Sequence, residues 1–352
     1  MLSTLSSNVV LSKARAMYGR RLTGKNYREL LACQSVPEIA HYLRANTDYA
    51  PILAGISESE IHRGELEARL KQKQFEDSSR LCRYELSVGE HFSEYLIERS
   101  EVEQILHCLM FLSAGTPEEY LFSLPEFLNK HTRINLYSLG HSKTFEDLLG
   151  AVSSTPYYKL LEPFRPVQGI PLDYTAVENA LYTYLYTHLF DIISRYTRGE
   201  TQKQLLHMFR SYIDLYNYVR IIRLKAFYHS GPDFIRSTLF PFGNIQGHHL
   251  DELLGAETKE EMLAALEKTH AGRYYLKIER SFPDQIPVRF QYLTGRRNIH
   301  FSTHPPVVML SYIFLLQAEM QDLISIIEGI RYRIPTDRIS KILTVLNFEE
   351  KG

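Results

Sequence analysis

Apolar residues recur at three- and four-residue intervals along most of the chain, which is the spacing that gathers them on one face of an α-helix. Between Tyr174 and Arg195 the stripe runs through Val177, Leu181, Tyr184, Leu185, His188, Leu189, Ile192 and Ile193. A second stripe, from His207 to Phe227, uses Met208, Tyr212, Leu215, Val219, Ile222 and Ala226. A third, from Met309 to Ile330, uses Leu310, Ile313, Leu316, Met320, Leu323, Ile326 and Ile327. Sustained period-2 alternation bounded by turn dipeptides is nearly absent, so the pattern predicts an all-α protein.

Proline and glycine divide this helical text. Breaks fall at Gly115-Thr-Pro117, at Pro163 with Pro166, at Gly231-Pro232, at Phe240-Pro-Phe-Gly243, at His304-Pro-Pro306 and at Ile334-Pro335. Proline lacks the amide donor and restricts the residue before it, so each break starts or stops a helix. The charged stretch from Glu58 to Tyr95 has fewer breakers and reads as one long helix or a helix pair with a solvated face.

Two sequence blocks repeat. One pairs two leucines with a short polar gap and a tyrosine-bearing turn: Leu30-Leu31 in the block from Asn26, Leu148-Leu149 with Tyr157-Tyr158 in the block from Thr144, and Leu253-Leu254 with Tyr274-Tyr275 in the block from His249. The pattern recurs about every 110 residues. The other block, out of phase with the first, has an acid, a polar residue three positions on, an apolar helix and a proline-led cap. It occurs at Glu101/Gln104, Asp214/Asn217 and Glu319/Asp322. Proline followed by acids suits the first turn of a helix, where the missing donor costs nothing and carboxylates meet the positive end of the dipole. The simplest reading is three similar helical modules in pseudo-threefold arrangement, residues 1–125, 126–240 and 241–352; chance alignment of amphipathic helices is the competing one.

Composition narrows the function. Among 352 residues, 40 Lys and Arg meet 41 Asp and Glu, so the basic excess expected of a nucleic-acid binder is missing. Cys33, Cys82 and Cys108 are odd in number and have no CxxC or CxxH spacing, which reads as buried thiols in a reducing compartment rather than a disulfide or metal framework. The longest apolar run, Val307 to Leu316, is about half of the ~20 residues needed to cross a bilayer, so it reads as a core helix and no membrane-spanning segment is expected. The first 25 residues lack a continuous apolar region with a small-residue cleavage site. There is no Trp but there are 24 Tyr and 18 Phe, rings that suit surfaces half-buried between helices or at a partner interface.

Motifs for chemistry are missing. The chain has no GxxxxGK[ST], GxGxxG after a strand, HExxH, EF-hand or GxSxG pattern, so no catalytic residue, cofactor, metal ligand or small-molecule substrate is assigned. The clusters Gly247-His248-His249 and His300-Phe-Ser-Thr-His304 lack converging carboxylates or thiols, and Glu260-Glu261 and Glu65 with Glu67 fit solvated helix faces. The distinctive stretch is RSYIDLYNYVRIIRLKAFYHSGPDF, residues 210–234. Arg220 and Arg223 lie three apart, and arginine makes planar multidentate contacts with carboxylates and carbonyls. They read either as contacts to an acidic partner surface or as a basic strip on a mostly buried helix.

The opening NVVLSKARAMYGRRLTGKNYRELLACQSVPEIAHYLRANTDYAPIL, Glu178 in the Tyr-rich helix, the spacing of Asp214, Asn217, Arg223 and Lys225, and the helix from Tyr312 to Leu323 followed by Ile339 together resemble the V-type and A-type ATPase subunit called C in archaea and bacteria and d in vacuolar enzymes. The resemblance covers essentially the whole chain. It departs from the family pattern at Gln104 with LHCLMFLSAG, and at Asp322, Glu328 and Ile330. It implies a funnel of three related helical domains without catalysis of its own, peripheral on the cytoplasmic face of the membrane. Its implied partners are the central-axle subunits of D and F type and the membrane proteolipid ring, between which it would pass torque for proton or sodium transport. The candidate partner-binding residues are Arg220, Arg223, Lys225, Phe240 and Phe242. The alternative is a helical-repeat scaffold that binds other proteins.

Overall fold

The computed structural model describes residues 2–57, 61–121, 124–167, 172–275 and 282–349. These residues are helical with no strand, as the periodicity predicts. Glu58, the start of the charged stretch, and the side chains of Tyr274 and Tyr275 lie outside what is described.

The chain divides into two compact units, one formed by Met1–Gly89 with Thr197–Gly352 and the other by Glu90–Tyr196. The first unit opens with α1 (Leu2–Tyr18), α2 (Gly24–Ala32), α3 (Val36–Asn46) and α4 (Arg63–Cys82). The charged stretch is thus a helix pair, α4 and then α5 (Gly89–Ala114). The turn between them is fixed by Glu85, whose carboxylate accepts from the backbone of Ser87 and Val88 at 3.1 and 2.6 Å. It is also fixed by Gly89, where an added Cβ would collide with the carbonyl oxygen of Cys82.

From α5 the second unit continues through α6 (Pro117–Leu121), α7 (Leu136–Gly140), α8 (Phe145–Ala151), α9 (Tyr157–Leu161) and α10 (Tyr174–Tyr196). The α10 stripe predicted from spacing is buried at Val177, Leu181, Leu185, Leu189, Ile192 and Ile193. The chain then returns to the first unit with α11 (Gly199–Tyr228), α12 (Pro232–Thr238), α13 (His248–Gly255), α14 (Lys259–Glu267), α15 (His270–Tyr275) and α16 (Ile286–Phe301). It ends with α17 (Pro305–Arg331), α18 (Thr336–Ile342) and α19 (Val345–Glu349).

Helix α17 is the axis of the first unit, packed by α1, α4 and α16. Its expected stripe, Leu310, Ile313, Leu316, Met320, Leu323, Ile326 and Ile327, is buried; from Pro306 through Leu316 burial extends all round, whereas beyond Leu316 a less buried face runs through Gln317, Gln321, Ile324, Ser325 and Glu328. By length and composition this helix alone among the described residues is apolar enough to cross a membrane, but 83% of its most apolar window is covered by the protein itself. Close approach to α16 occurs at Gly295, where a Cβ would lie 3.2 Å from the Ser311 carbonyl. Cys82 and Cys108 are buried, whereas Cys33 is only half-buried, because it caps the end of α2 at the surface.

The first repeated block keeps its buried leucines in all three copies and its capping in two. Its leucine pairs, Leu30-Leu31, Leu148-Leu149 and Leu253-Leu254, are all buried. Helices α2 and α8, which carry the first two pairs, each start with a threonine capping box, at Thr23 and Thr144; α13, which carries the third pair, follows Gly247 without a side-chain cap, and a box falls one helix later, at Thr258 of α14. Glu261 belongs to the last of these boxes, and Glu67 pairs with Arg63 at 2.6 Å.

The second block supplies buried acids on the three longest helices of the repeat, α5, α11 and α17. Glu101 accepts from the Arg133 backbone at 2.5 Å and the Tyr157 hydroxyl at 2.7 Å. Glu319 accepts from the Leu22 backbone at 2.8 Å and the Tyr49 hydroxyl at 2.7 Å. Asp214 accepts from the Ile245 backbone at 2.9 Å and from the Asn244 side chain at 3.3 Å. In each case a carboxylate on a long helix fixes the loop ahead of a leucine-pair block by binding backbone amides that would otherwise be left unsatisfied.

Candidate partner-binding surface

The basic stretch singled out from sequence forms the C-terminal half of α11. Its inner face joins a core containing Leu215, Tyr218, Ile221, Ile235, Leu253 and Phe290. Asn217 holds the loop after α12, its side chain donating to the Phe240 carbonyl at 2.9 Å and accepting from the Phe240 amide at 3.0 Å. Asp214 is squeezed against the same loop, since a Cβ at Gly243 would collide with its Oδ1. Burial pushes the Asp214 carboxyl up to about 6, against the pull of the Ile245 amide and Asn244.

The five candidate residues separate into two groups. Arg220 is half-buried: it donates to the Thr238 carbonyl at 2.6 Å, at the end of α12, and its guanidinium lies 5.0 Å from the Phe240 ring centroid and 5.5 Å from that of Tyr216. Lys225 donates to the carbonyls of Leu254 and Ala256 at 2.6 and 2.5 Å, capping α13. Both cations meet helix-end carbonyls that lack intrahelical partners. Desolvation lowers the Lys225 ammonium below its ordinary range. Phe240 is 2% exposed and belongs to the core. Arg223 is exposed and paired with Asp284 at 3.3 Å, and Phe242 is half-buried.

The most exposed rings of this region lie outside the repeated spacing. Phe227 and Tyr228, the last residues of α11, are 76% and 73% exposed, and Phe234 on α12 is 53% exposed. Three large exposed rings thus lie within eight residues of chain, at the tip formed by the end of α11 and the start of α12. The signal was present in AFYHSGPDF, where aromatic residues continue past the point at which the buried stripe ends at Val219 and Ile221.

The tip sits on a helix ending that recurs. Helices α5, α11 and α17 each finish in a left-handed residue, Gly115 (φ 75°), His229 (φ 49°) and Arg333 (φ 53°). In each an amide reaches five residues back, from Thr116 to Phe111, His229 to Leu224 and Ile334 to Gly329. Pro117, Pro232 and Pro335 then follow. Apolar side chains are exposed at all three endings: Met110 and Leu121, the aromatic trio, and Tyr332 with Ile334.

The histidine clusters have structural occupations. His304 Nδ1 lies 2.9 Å from the Thr201 hydroxyl, His300 packs edge-on against Tyr18, and His248 and His249 lie beside Glu252. No group of three or more His, Cys, Asp or Glu side chains converges on a metal-sized site among the described residues.

The chain is similar to known proteins over most of its length. Residues 10–342 match the model of the family described as ATP synthase (C/AC39) subunit. An A-type ATP synthase subunit of C type from Methanosphaera stadtmanae is 23% identical over 265 residues, covering 74% of this chain and 65% of that protein. Its counterpart of the same type from Methanosarcina mazei is 30% identical over 148 residues, covering 42% of this chain and 35% of that protein. The chain thus spans less than two thirds of the length of these curated relatives. With the family match running over nearly its whole length, the chain belongs to the ATP synthase (C/AC39) subunit family of V/A-type ATPases.

Proposed function

We propose that this chain is a non-catalytic central-stalk adaptor that couples the rotor axle of a V/A-type rotary ATPase, formed by subunits of D and F type, to the membrane proteolipid ring. In this reading it lies on the cytoplasmic face of the membrane and transmits torque for ATP-linked proton or sodium transport. Residues 1–125, 126–240 and 241–352 are three related modules in a funnel-shaped, pseudo-threefold arrangement. The observation that carries the reading is the recurring long helix, with a buried acid that fixes a loop and a left-handed, proline-followed ending that exposes apolar side chains. A torque-bearing part must be stiff, and close-packed helices with satisfied buried polar groups supply that stiffness. Arg223 and Phe242 are proposed as direct partner contacts together with the aromatic tip, while Arg220, Lys225 and Phe240 hold that surface in shape.

The test is affinity capture of the tagged chain from detergent-solubilised membranes at physiological salt. The expected result is recovery of the ATPase head and proteolipid ring, reduced by the combined change Arg223→Glu and Phe227→Ser while the circular dichroism of the purified variant matches the parent. Recovery of the folded chain alone, or with an unrelated assembly, overturns the reading.

A further inference from the structure

The three left-handed helix endings expose apolar side chains alike but differ in charge. Past α5, Glu118 and Glu119 are exposed, and no Lys or Arg stands between Gly115 and Leu121. Past α11, Asp233 is exposed, and Arg236 is already paired with Asp251. Past α17 the corner is cationic: Arg331, Arg333, Arg338 and Lys341 are all exposed, and Asp337 is the one acid among them. Among the described residues none of these four cations is in an ion pair, and Glu328, the last acid of α17, is taken by Arg63 at 2.6 Å. Every residue from Arg331 to Arg338 is exposed, with Tyr332 at 62% and Ile334 at 42% set between the arginines. The corner is also fixed in shape. The Tyr332 and Ile334 amides donate to the carbonyls of Glu328 and Gly329 at 2.9 and 2.8 Å, and Ile339 packs so closely on Gly329 that a Cβ there would collide with it. Helix α18 therefore lies tight on α17 through Ile339, while Arg338 and Lys341, three apart, share its outer face.

We propose that this corner is a contact surface for a membrane of anionic phospholipid. Guanidinium groups hold phosphate through planar, multidentate hydrogen bonds, so Arg331, Arg333 and Arg338 suit headgroup phosphates, and Lys341 adds a point charge. Tyr332 and Ile334 suit the same layer, where apolar side chains enter between headgroups while neighbouring cations stay with the phosphates. An acidic protein fits less well. A stable protein interface takes roughly 20–30 residues a side. The corner offers eight consecutive exposed residues around one tight turn. A charged lipid surface needs no matching shape, and each basic residue near it strengthens binding about fivefold. The whole chain carries a net charge of -1, so attraction of this kind rests on the local concentration of unpaired cations. The contact requires only this chain and lipid, and so stands apart from the adaptor reading.

Co-sedimentation of the purified full chain with vesicles reads the contact directly. The chain should bind vesicles of phosphatidylcholine with roughly one third phosphatidylserine, more weakly as salt is added, and should leave pure phosphatidylcholine vesicles unbound. Arg331→Gln combined with Arg338→Gln should weaken binding about 30-fold, at about fivefold for each cation. Lys143→Gln combined with Arg195→Gln removes two exposed cations elsewhere and should leave binding unchanged. The chain has no Trp, so Tyr332→Trp supplies a single reporter at the corner, whose emission should move to shorter wavelength when phosphatidylserine vesicles are added. Equal binding to both kinds of vesicle, no binding to either, equal losses in the two double variants, or an unshifted emission from Tyr332→Trp each overturns the proposal. Retention on immobilised polyglutamate without vesicle binding overturns it in favour of an acidic protein.

Discussion

Helices α5 and α17 both bury two acids three residues apart, yet they satisfy them by different physics. On α5, Glu98 and Glu101 meet a cation: Arg133 lies 2.6 Å from Glu98 and 3.6 Å from Glu101, and His188 also bonds Glu98. On α17, Glu319 and Asp322 are satisfied by neutral donors. Asp322 accepts the amides of Thr344 and Val345 at 2.7 Å each, at the start of α19, and Glu319 accepts Leu22 and Tyr49. Burial governs the ionisation of the α17 pair. Desolvation pushes Asp322 up to about 7 and raises Glu319, and the donors offset this only in part. A buried carboxylate beside a cation half in water keeps a solvated partner, whereas one held by amides depends on the fold alone.

The sharpest test of that contrast is Asp322→Ala. It strands two buried amides and should cost about 3–5 kcal/mol, read as a shift in the urea midpoint with unchanged slope. Glu98→Gln should cost less, ~1–3 kcal/mol, because Arg133, 51% exposed, can rehydrate when its partner loses its charge. Equal losses for the two variants would break the comparison. The pH dependence comes next in size. The folded state holds a proton on Asp322 up to about pH 7, while the unfolded chain releases it near 3.8, so this group makes stability fall as pH rises between those values. Wild type should therefore gain on Asp322→Asn as pH is lowered from 8 to 5, by at most about 1.4 kcal/mol per unit. Asp214→Asn should show the same sign over a narrower window ending near 6. Calorimetry at several pH values reads both. The smallest effect belongs to Arg223→Ala. Its pair with Asp284 has both side chains 59% exposed, so stability should change by under about 0.5 kcal/mol even where partner capture falls.

The recurrence of the acids was legible before any fold was known, because it is a pattern in one dimension: an acid, a polar residue three on, a helix, a proline. Their role was not. Asp214 and Asn217 find their partners only because the loop from Phe240 to Ile245 arrives beside α11, and the close approach of Gly243 to Asp214 that makes this possible leaves only a glycine in the sequence. Arg220 and Lys225 illustrate the same limit. Their spacing announced a basic helix face, but the carbonyls they cap belong to α12 and α13, up to 31 residues away along the chain.

Sequence alone determined what is local here: the long helices at 174–196, 199–228 and 305–331, their proline-marked ends, and the repeated blocks, since helical period and capping chemistry act within a few residues of chain. Tertiary structure alone decided which charges are buried and which rings are exposed. Leu22 and Glu319 stand 297 positions apart, and no spacing rule joins them. That bond forms because packing around α17 removes water from both groups and leaves each as the other's available partner.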